Sequence, residues 1–165
     1  MGRRASGLAV VAVLAAGLAV PATVGAATVL KSRMTGAQVV NDDGGAPRGV
    51  AQATLNLNEA RHRICFEIAY SGLGGKATAG YLRHGEPGQM ARPAVVLFAG
   101  RAASPATGCV DDVGRRTMQA LQRHPGAHYV DLASARYPKG AVRGQLRGGD
   151  VDEAQLGGPP SGGIG

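Results

Sequence analysis

Two stretches, VAQATLNLN (Val50 to Asn58) and RHRICFEIAY (Arg61 to Tyr70), alternate apolar and polar residues with only a short connection at Asn58-Glu59-Ala60 between them. A strand sends successive side chains to opposite faces, so strict alternation belongs to a sheet with one buried face and not to a helix. Ala51, Ala53, Leu55 and Leu57 share one face of the first stretch, and Ile64, Phe66, Ile68 and Tyr70 share one face of the second. Together they predict a hairpin.

The rest of the chain punctuates in the same manner. ATVLKSRMTGAQVV supplies a first strand, and NDDGGAPRG is a loop dense in turn residues. ATAGYLRH gives a short strand through Tyr81 and Leu82 that runs into a loop at Gly85-Glu86-Pro87-Gly88. PAVVLFAG is enriched in valine and too short to span a membrane, which predicts a central strand, and RAASPATGC predicts a loop. AHYVDLASARY and AVRGQLRG supply the last two strands. VDDVGRRTMQALQRHPG is the one convincing helix: Asp111 or Asp112 is suited to cap its start, Met118 and Leu121 share a face with Val113 or Thr117, and Pro125-Gly126 stops it. Short strands, regular turn signals and a single helix predict an all-β fold, a Greek-key or Ig-like β-sandwich or barrel with one short helix.

The amino terminus carries Arg3 and Arg4 ahead of an apolar run and then small residues at Val24-Gly25-Ala26, the pattern of a secretory signal peptide over residues 1–26, cleaved near Ala26. The mature protein is then expected to be secreted, with membrane contact only through the uncleaved signal during export. One β domain is expected over residues 27–148. Residues 149–165 combine Gly, Pro, Ser and acids with almost nothing to bury, which predicts a disordered tail.

Cys65 and Cys109 lie in no CxxC or Cys/His cluster with metal spacing, and outside the cytoplasm an even pair most simply forms one disulfide. Cys65 is expected inside a strand and Cys109 in the loop before the helix, so that the bond ties helix to sheet. Such a tie matters in a chain with no tryptophan and only two phenylalanines, because Val, Leu, Ile and Ala each bury little. The formal charge of +7 becomes +5 once Arg3 and Arg4 leave with the signal. The basic residues are scattered, with no run interleaved with aromatics, which argues against nucleic acid as a partner and for a solvated basic surface.

The stretch HYVDLASARYPKGAVRGQL, His128 to Leu146, is the most specific in the chain. Pro138 fixes φ at a turn corner, Gly140 is suited to the left-handed position closing a tight hairpin, and Val142, Gly144 and Leu146 alternate with Arg143, Gln145 and Arg147. With its Tyr129-Val130 strand, Tyr137-Pro138, Gly140 and Arg143-Gly144-Gln145-Leu146, the stretch resembles the signature of the CHRD domain, a module of secreted microbial proteins. The upstream order VAQATLNLN, FEIAYSGLGG, PAVVLF and a helix ending at Pro125 agrees, so the resemblance covers about Thr28 to Arg147. It implies an extracellular β-sandwich with no established enzymatic activity and a role in binding. Where many members carry His-x-His before the loop, this chain has Tyr81-Leu82-Arg83 with His84 next; where they carry a histidine after the Tyr-Val strand, it has Ala133. Three imidazoles on adjacent strands suit zinc or copper, and that set is replaced here.

Among other candidates, His124 and His128 have a zinc-like spacing, but Pro125 and Gly126 place them around a helix stop. With the isolated His84 they are weak metal candidates, and no metal or other cofactor is expected. Asp42-Asp43 and Asp111-Asp112 lack the alternate oxygen ligands of a calcium loop, and no serine stands in a Gly-x-Ser-x-Gly elbow. No catalytic residue is therefore expected. Tyr81, Arg83 and His84 form a possible binding surface. Arg143 and Gln145 are expected to pair with Glu67 or Asp131 across neighbouring strands, the alternative being a polar groove for a ligand. These readings point to a secreted, noncatalytic binding module for an extracellular protein or surface polymer; the alternatives are a metal-binding or redox protein of similar barrel type and a structural envelope protein.

Overall fold

The computed structural model describes residues 28–148; the signal peptide expected over residues 1–26 and the tail expected over 149–165 lie outside them. The elements run β1 (Thr28–Thr35), β2 (Val50–Asn58), β3 (Arg63–Ser71), β4 (Ala77–His84), β5 (Pro93–Ala102), β6 (Ala106–Val110), α1 (Arg115–Arg123), β7 (His128–Ser134) and β8 (Val142–Gly148). The eight strands form one antiparallel sheet in the order β5-β4-β7-β8-β1-β2-β3-β6. Its two end strands come alongside each other, so the sheet curls into a nearly closed barrel.

Period-two alternation sorts the side chains between the inside and the outside of this barrel. Leu55 and Leu57 on β2 and Ile64 and Ile68 on β3 are fully buried, and the register sets Leu55 opposite Phe66 and Leu57 opposite Ile64. Leu30, Leu82, Leu132 and Leu146 extend the same interior across β1, β4, β7 and β8. The predicted hairpin is the β2–β3 pair. Helix α1 adds Met118 and Leu121 to this core, as their spacing predicts, and is held to the β2–β3 turn by a Val113 amide that donates to the His62 carbonyl at 2.9 Å.

Four local expectations are corrected. The valine-rich β5 is not central but one end of the strand order, with Val95 and Leu97 buried and Val96 exposed. Valine favours a pleated, half-buried surface as much as a doubly covered one. Residues 101–109 are not all loop: Ala106–Val110 form β6, so the disulfide ties strand to strand and not helix to sheet. Neither Asp111 nor Asp112 caps the helix, whose first turn follows Gly114; Asp111 instead pairs with Arg63. The β7–β8 connection is longer than a tight hairpin, running from Ser134 to Val142 with Gly140 at φ +133 and its amide bonded to the Tyr137 carbonyl at 3.2 Å.

Cys65 and Cys109 are bonded, and they face each other directly in the β3–β6 register. Of the residues of β6 only Ala106 is buried, so this strand has little apolar area to hold it. A bond closing a loop of sequence separation 44 constrains the unfolded chain as well. Cys65→Ser is expected to lower the unfolding free energy by roughly 2 to 4 kcal/mol in urea titration. An unchanged urea midpoint would show that the ladder alone holds β6.

Candidate functional site

Tyr81, Arg83, Tyr129, Arg143 and Gln145, all singled out in the sequence, converge with Asp131 on the outer face of three neighbouring strands. The register sets Tyr81 of β4 opposite Asp131 of β7 and Asp131 opposite Arg143 of β8; the next row sets Arg83 opposite Tyr129 and Tyr129 opposite Gln145. Directly opposed residues share a face, so six polar or aromatic side chains stand together there. On the inner face behind them Leu82, Val130, Leu132 and Val142 are fully buried.

The pairs form along diagonals, not along rows. Arg83, not Arg143, takes Asp131: its Nε donates to one carboxylate oxygen at 2.6 Å and an Nη to the other at 3.3 Å. Arg143 instead lies over the Tyr129 ring, its guanidinium carbon 3.6 Å from the centroid. Its two Nη groups donate to the carbonyls of Gln89 at 2.5 Å and Glu86 at 2.9 Å, and one also reaches Gln145 Oε1 at 3.2 Å. The expected carboxylate partner, Glu67 or Asp131, is thus replaced by backbone oxygens of the loop after β4. A planar fork suits two carbonyls spaced along a turn, and the ring beneath it attracts the cation's face.

The same loop is gripped elsewhere. Gln145 Nε2 donates to the Gly85 carbonyl and to the Gly126 carbonyl, each at 2.8 Å. Arg83 donates to the Ala91 carbonyl at 2.6 Å, and the Ala91 amide donates to the Tyr129 hydroxyl at 3.1 Å. Gly144 explains the small residue between the two clamps: a Cβ there would run into the Arg33 carbonyl of β1, so only glycine lets β8 lie so close. The motif Arg143-Gly144-Gln145 therefore reads as two donors aimed outward at a loop and one inward gap for a neighbouring strand.

Burial sets the electrostatics. Arg143 is 4 % exposed, and desolvation lowers its pKa while the neighbouring Tyr129 and the Asp131 carboxylate oppose that. Desolvation raises the pKa of the Asp131 carboxyl, against the pull of the Arg83 hydrogen bonds and charge and of Arg143. Beside the cluster lies a shallow recess of about 50 Å³ reached by Val39, Met90, Arg83, Asp131, Lys139 and Arg143.

The histidines group differently from the sequence spacing. His84 opposes His128 in the register, and their rings meet edge to face at 4.9 Å between centroids. His124 contributes its carbonyl, 3.0 Å from His128 Nδ1. Among the described residues no three His, Cys, Asp or Glu side chains form a group able to hold a metal ion. Of the possible binding surface, Tyr81 and Arg83 stand together, with the Arg83 guanidinium 4.8 Å from the Tyr81 ring centroid, while His84 points to the other face and pairs with His128.

The CHRD domain model matches residues 30–146. The chain belongs to the CHRD domain family. The match takes in every strand that builds the outer cluster, including the Tyr129, Tyr137, Pro138, Gly140 and Arg143-Gly144-Gln145-Leu146 positions that carry the resemblance. No curated protein and no solved structure matches the chain. Positions 81 and 83 lie on the outer face of β4 and are occupied by a tyrosine and by the arginine that neutralises Asp131.

The loop at Gly85-Glu86-Pro87-Gly88 stands where the sequence predicts it, but its role as the acceptor for the clamp was not legible. Gly85 to Ala91 showed turn residues only, and the groups that receive Arg143 and Gln145 are backbone carbonyls, which no side-chain identity reveals. Arg143→Ala is expected to leave the Glu86 and Gln89 carbonyls unpaired and the Tyr129 ring uncovered, at a cost of roughly 1 to 3 kcal/mol. Lysine restores only part, since a point charge cannot serve both carbonyls. Thermal unfolding of both variants checks this, and hydrogen exchange should quicken over Gly85 to Ala91; an unchanged midpoint for alanine would overturn the clamp.

A pH dependence follows from His128, which is 2 % exposed. Burial, then the neighbouring His84 and His124, lower its pKa below the ordinary 6.5, against the His124 carbonyl bond and the Glu86 charge. Between that lowered value and 6.5 the unfolded chain binds a proton that the folded protein does not, so stability rises with pH through this window. The contribution is complete above the window and lost as pH falls through it. His128→Gln should flatten the fall in urea midpoint between about pH 7.5 and about pH 5 relative to the parent. Parallel slopes in the two proteins would rule out His128 as the source.

Proposed function

We propose that this CHRD domain is a noncatalytic binding module working outside the cell, which presents the loop Gly85 to Ala91 to an extracellular macromolecule or surface component. The single observation that carries this reading is the way the loop is held. Arg143, Gln145, Arg83 and Tyr129 fix its backbone from beneath, while the Met90 side chain is 68 % exposed. An ordered loop with an exposed apolar side chain loses little freedom on binding, which favours recognition of a large partner. The recess beside it is far smaller than the several hundred Å³ usual for small-molecule sites.

The chemistry of the cluster supports a presenting role over a reacting one. Asp131 spends both oxygens on Arg83, and the Tyr129 hydroxyl accepts the Ala91 amide. These groups serve the loop. The Cys65–Cys109 bond fits an oxidising compartment, in keeping with the signal peptide expected at the amino terminus.

Capture from the native extracellular fraction with the mature protein and with Met90→Asp tests the reading. The Met90 side chain is exposed and makes none of the clamp hydrogen bonds, so thermal unfolding should change little while the captured partner is lost. Equal capture by both proteins would reject loop 85–91 as the contact.

A further inference from the structure

The outer face of β8 continues past the loop's cover, and its chemistry changes there. Arg147 stands directly opposite Lys31 of β1 in the antiparallel register, and Arg33 lies two residues further along the same face of β1. All three are exposed, and among the described residues none forms an ion pair. Like charges directly opposed across two strands destabilise a sheet. A fold selected for stability alone gains nothing by this placement, and such local conflicts mark functional surfaces.

The neighbouring strand adds a second kind of group. Asn56, Thr54 and Gln52 of β2 stand opposite Val29, Lys31 and Arg33. The barrel wall here therefore carries three cations bordered by two amides and a hydroxyl, with the Glu67 carboxylate of β3 beyond Thr54 and no aromatic ring among them. Residues two apart on a strand are roughly 7 Å apart, and directly opposed residues roughly 5 Å. We infer that this face of β1, β2 and β8 binds a linear acidic polysaccharide, whose sulfate or carboxylate groups meet Lys31, Arg33 and Arg147 while its hydroxyls meet Gln52, Thr54 and Asn56.

The absence of aromatics on this face disfavours single-stranded nucleic acid, which is held by stacking, and the barrel wall here presents no helix or projecting ribbon to enter a duplex groove. Nor does the stripe offer the large apolar side chains that insert into a lipid interface. The inference shares with the proposed function only the extracellular setting. Loop 85–91 has no part in it.

Binding of the mature protein to dextran sulfate and to polygalacturonate, with uncharged dextran as comparison, tests it. The parent should bind both polyanions and not dextran, with affinity falling at least roughly tenfold as salt rises from about 50 to about 200 mM. The variant Lys31→Gln/Arg33→Gln/Arg147→Gln should lose this binding, and its thermal midpoint should hold or rise because repulsion is relieved. A control with equal charge loss, Arg115→Gln/Arg116→Gln/Arg123→Gln on α1, should keep it, as should Met90→Asp. Equal loss in the helix control would reduce the effect to net charge and overturn the proposal. So would a lowered midpoint in the sheet variant, or equal or tighter binding of the parent to duplex DNA or to anionic phospholipid vesicles.

Discussion

The guanidinium of Arg143, laid on the Tyr129 ring and bonded to two loop carbonyls, is the contact that organises one whole side of this barrel. A buried cation is costly unless its donors are satisfied, and a backbone carbonyl is costly to bury unless something donates to it. Each problem solves the other here. Once Arg143 is committed to the loop, Asp131 must find a different cation, and Arg83 provides it from the adjacent strand at 2.6 Å. The diagonal exchange of partners between the two cross-strand rows follows from that first commitment.

In this arrangement each residue of the Arg143-Gly144-Gln145 unit has a separate task. Gln145 supplies one donor nitrogen to two carbonyls, one at the start of the loop and one after the helix, and so joins segments that the sheet alone leaves apart. Gly144 works on the opposite face, where the β1 backbone leaves no room for a Cβ. The strand therefore reads differently on its two sides within three residues: donors to a loop outside, contact of backbone with backbone inside. Period-two alternation makes that division possible.

How much of this was legible beforehand depended on whether the decisive group was a side chain. The β2–β3 hairpin and the buried face of α1 could be read from the sequence because Leu55, Leu57, Ile64, Ile68, Met118 and Leu121 announce burial by type and spacing. Strand β6 could not, because ATGCV holds small and polar residues and only Ala106 is buried. The valine run of β5 spoke for a strand but not for its place, which depends on pairing with β4 alone. Arg143 was visible as a motif residue, yet its acceptors are main-chain oxygens of Glu86 and Gln89, more than fifty residues upstream, whose positions only the folded chain defines. His84 and His128 are far apart in sequence and meet only because β4 and β7 pair.

The seam between β5 and β6 shows how a chain poor in aromatics completes a barrel. Its two phenylalanines, Phe66 on β3 and Phe98 on β5, stack with centroids 6.0 Å apart, so the large rings are concentrated where the sheet's ends approach. Glycines make room for them: a Cβ at Gly80 would strike the Phe98 ring, and one at Gly108 would press on the Phe66 ring. Because Gly108 lies on β6 itself, the strand that most lacks apolar area also gives up side-chain volume to seat a ring. Apolar burial then acts through Phe66 and Phe98 and not through β6, and the end strand is left to its ladder with β3 and to the covalent bond at Cys109. A disulfide at that position is thus the counterpart of the missing side chains: it secures the strand whose residues were made small so that the core beneath it could close.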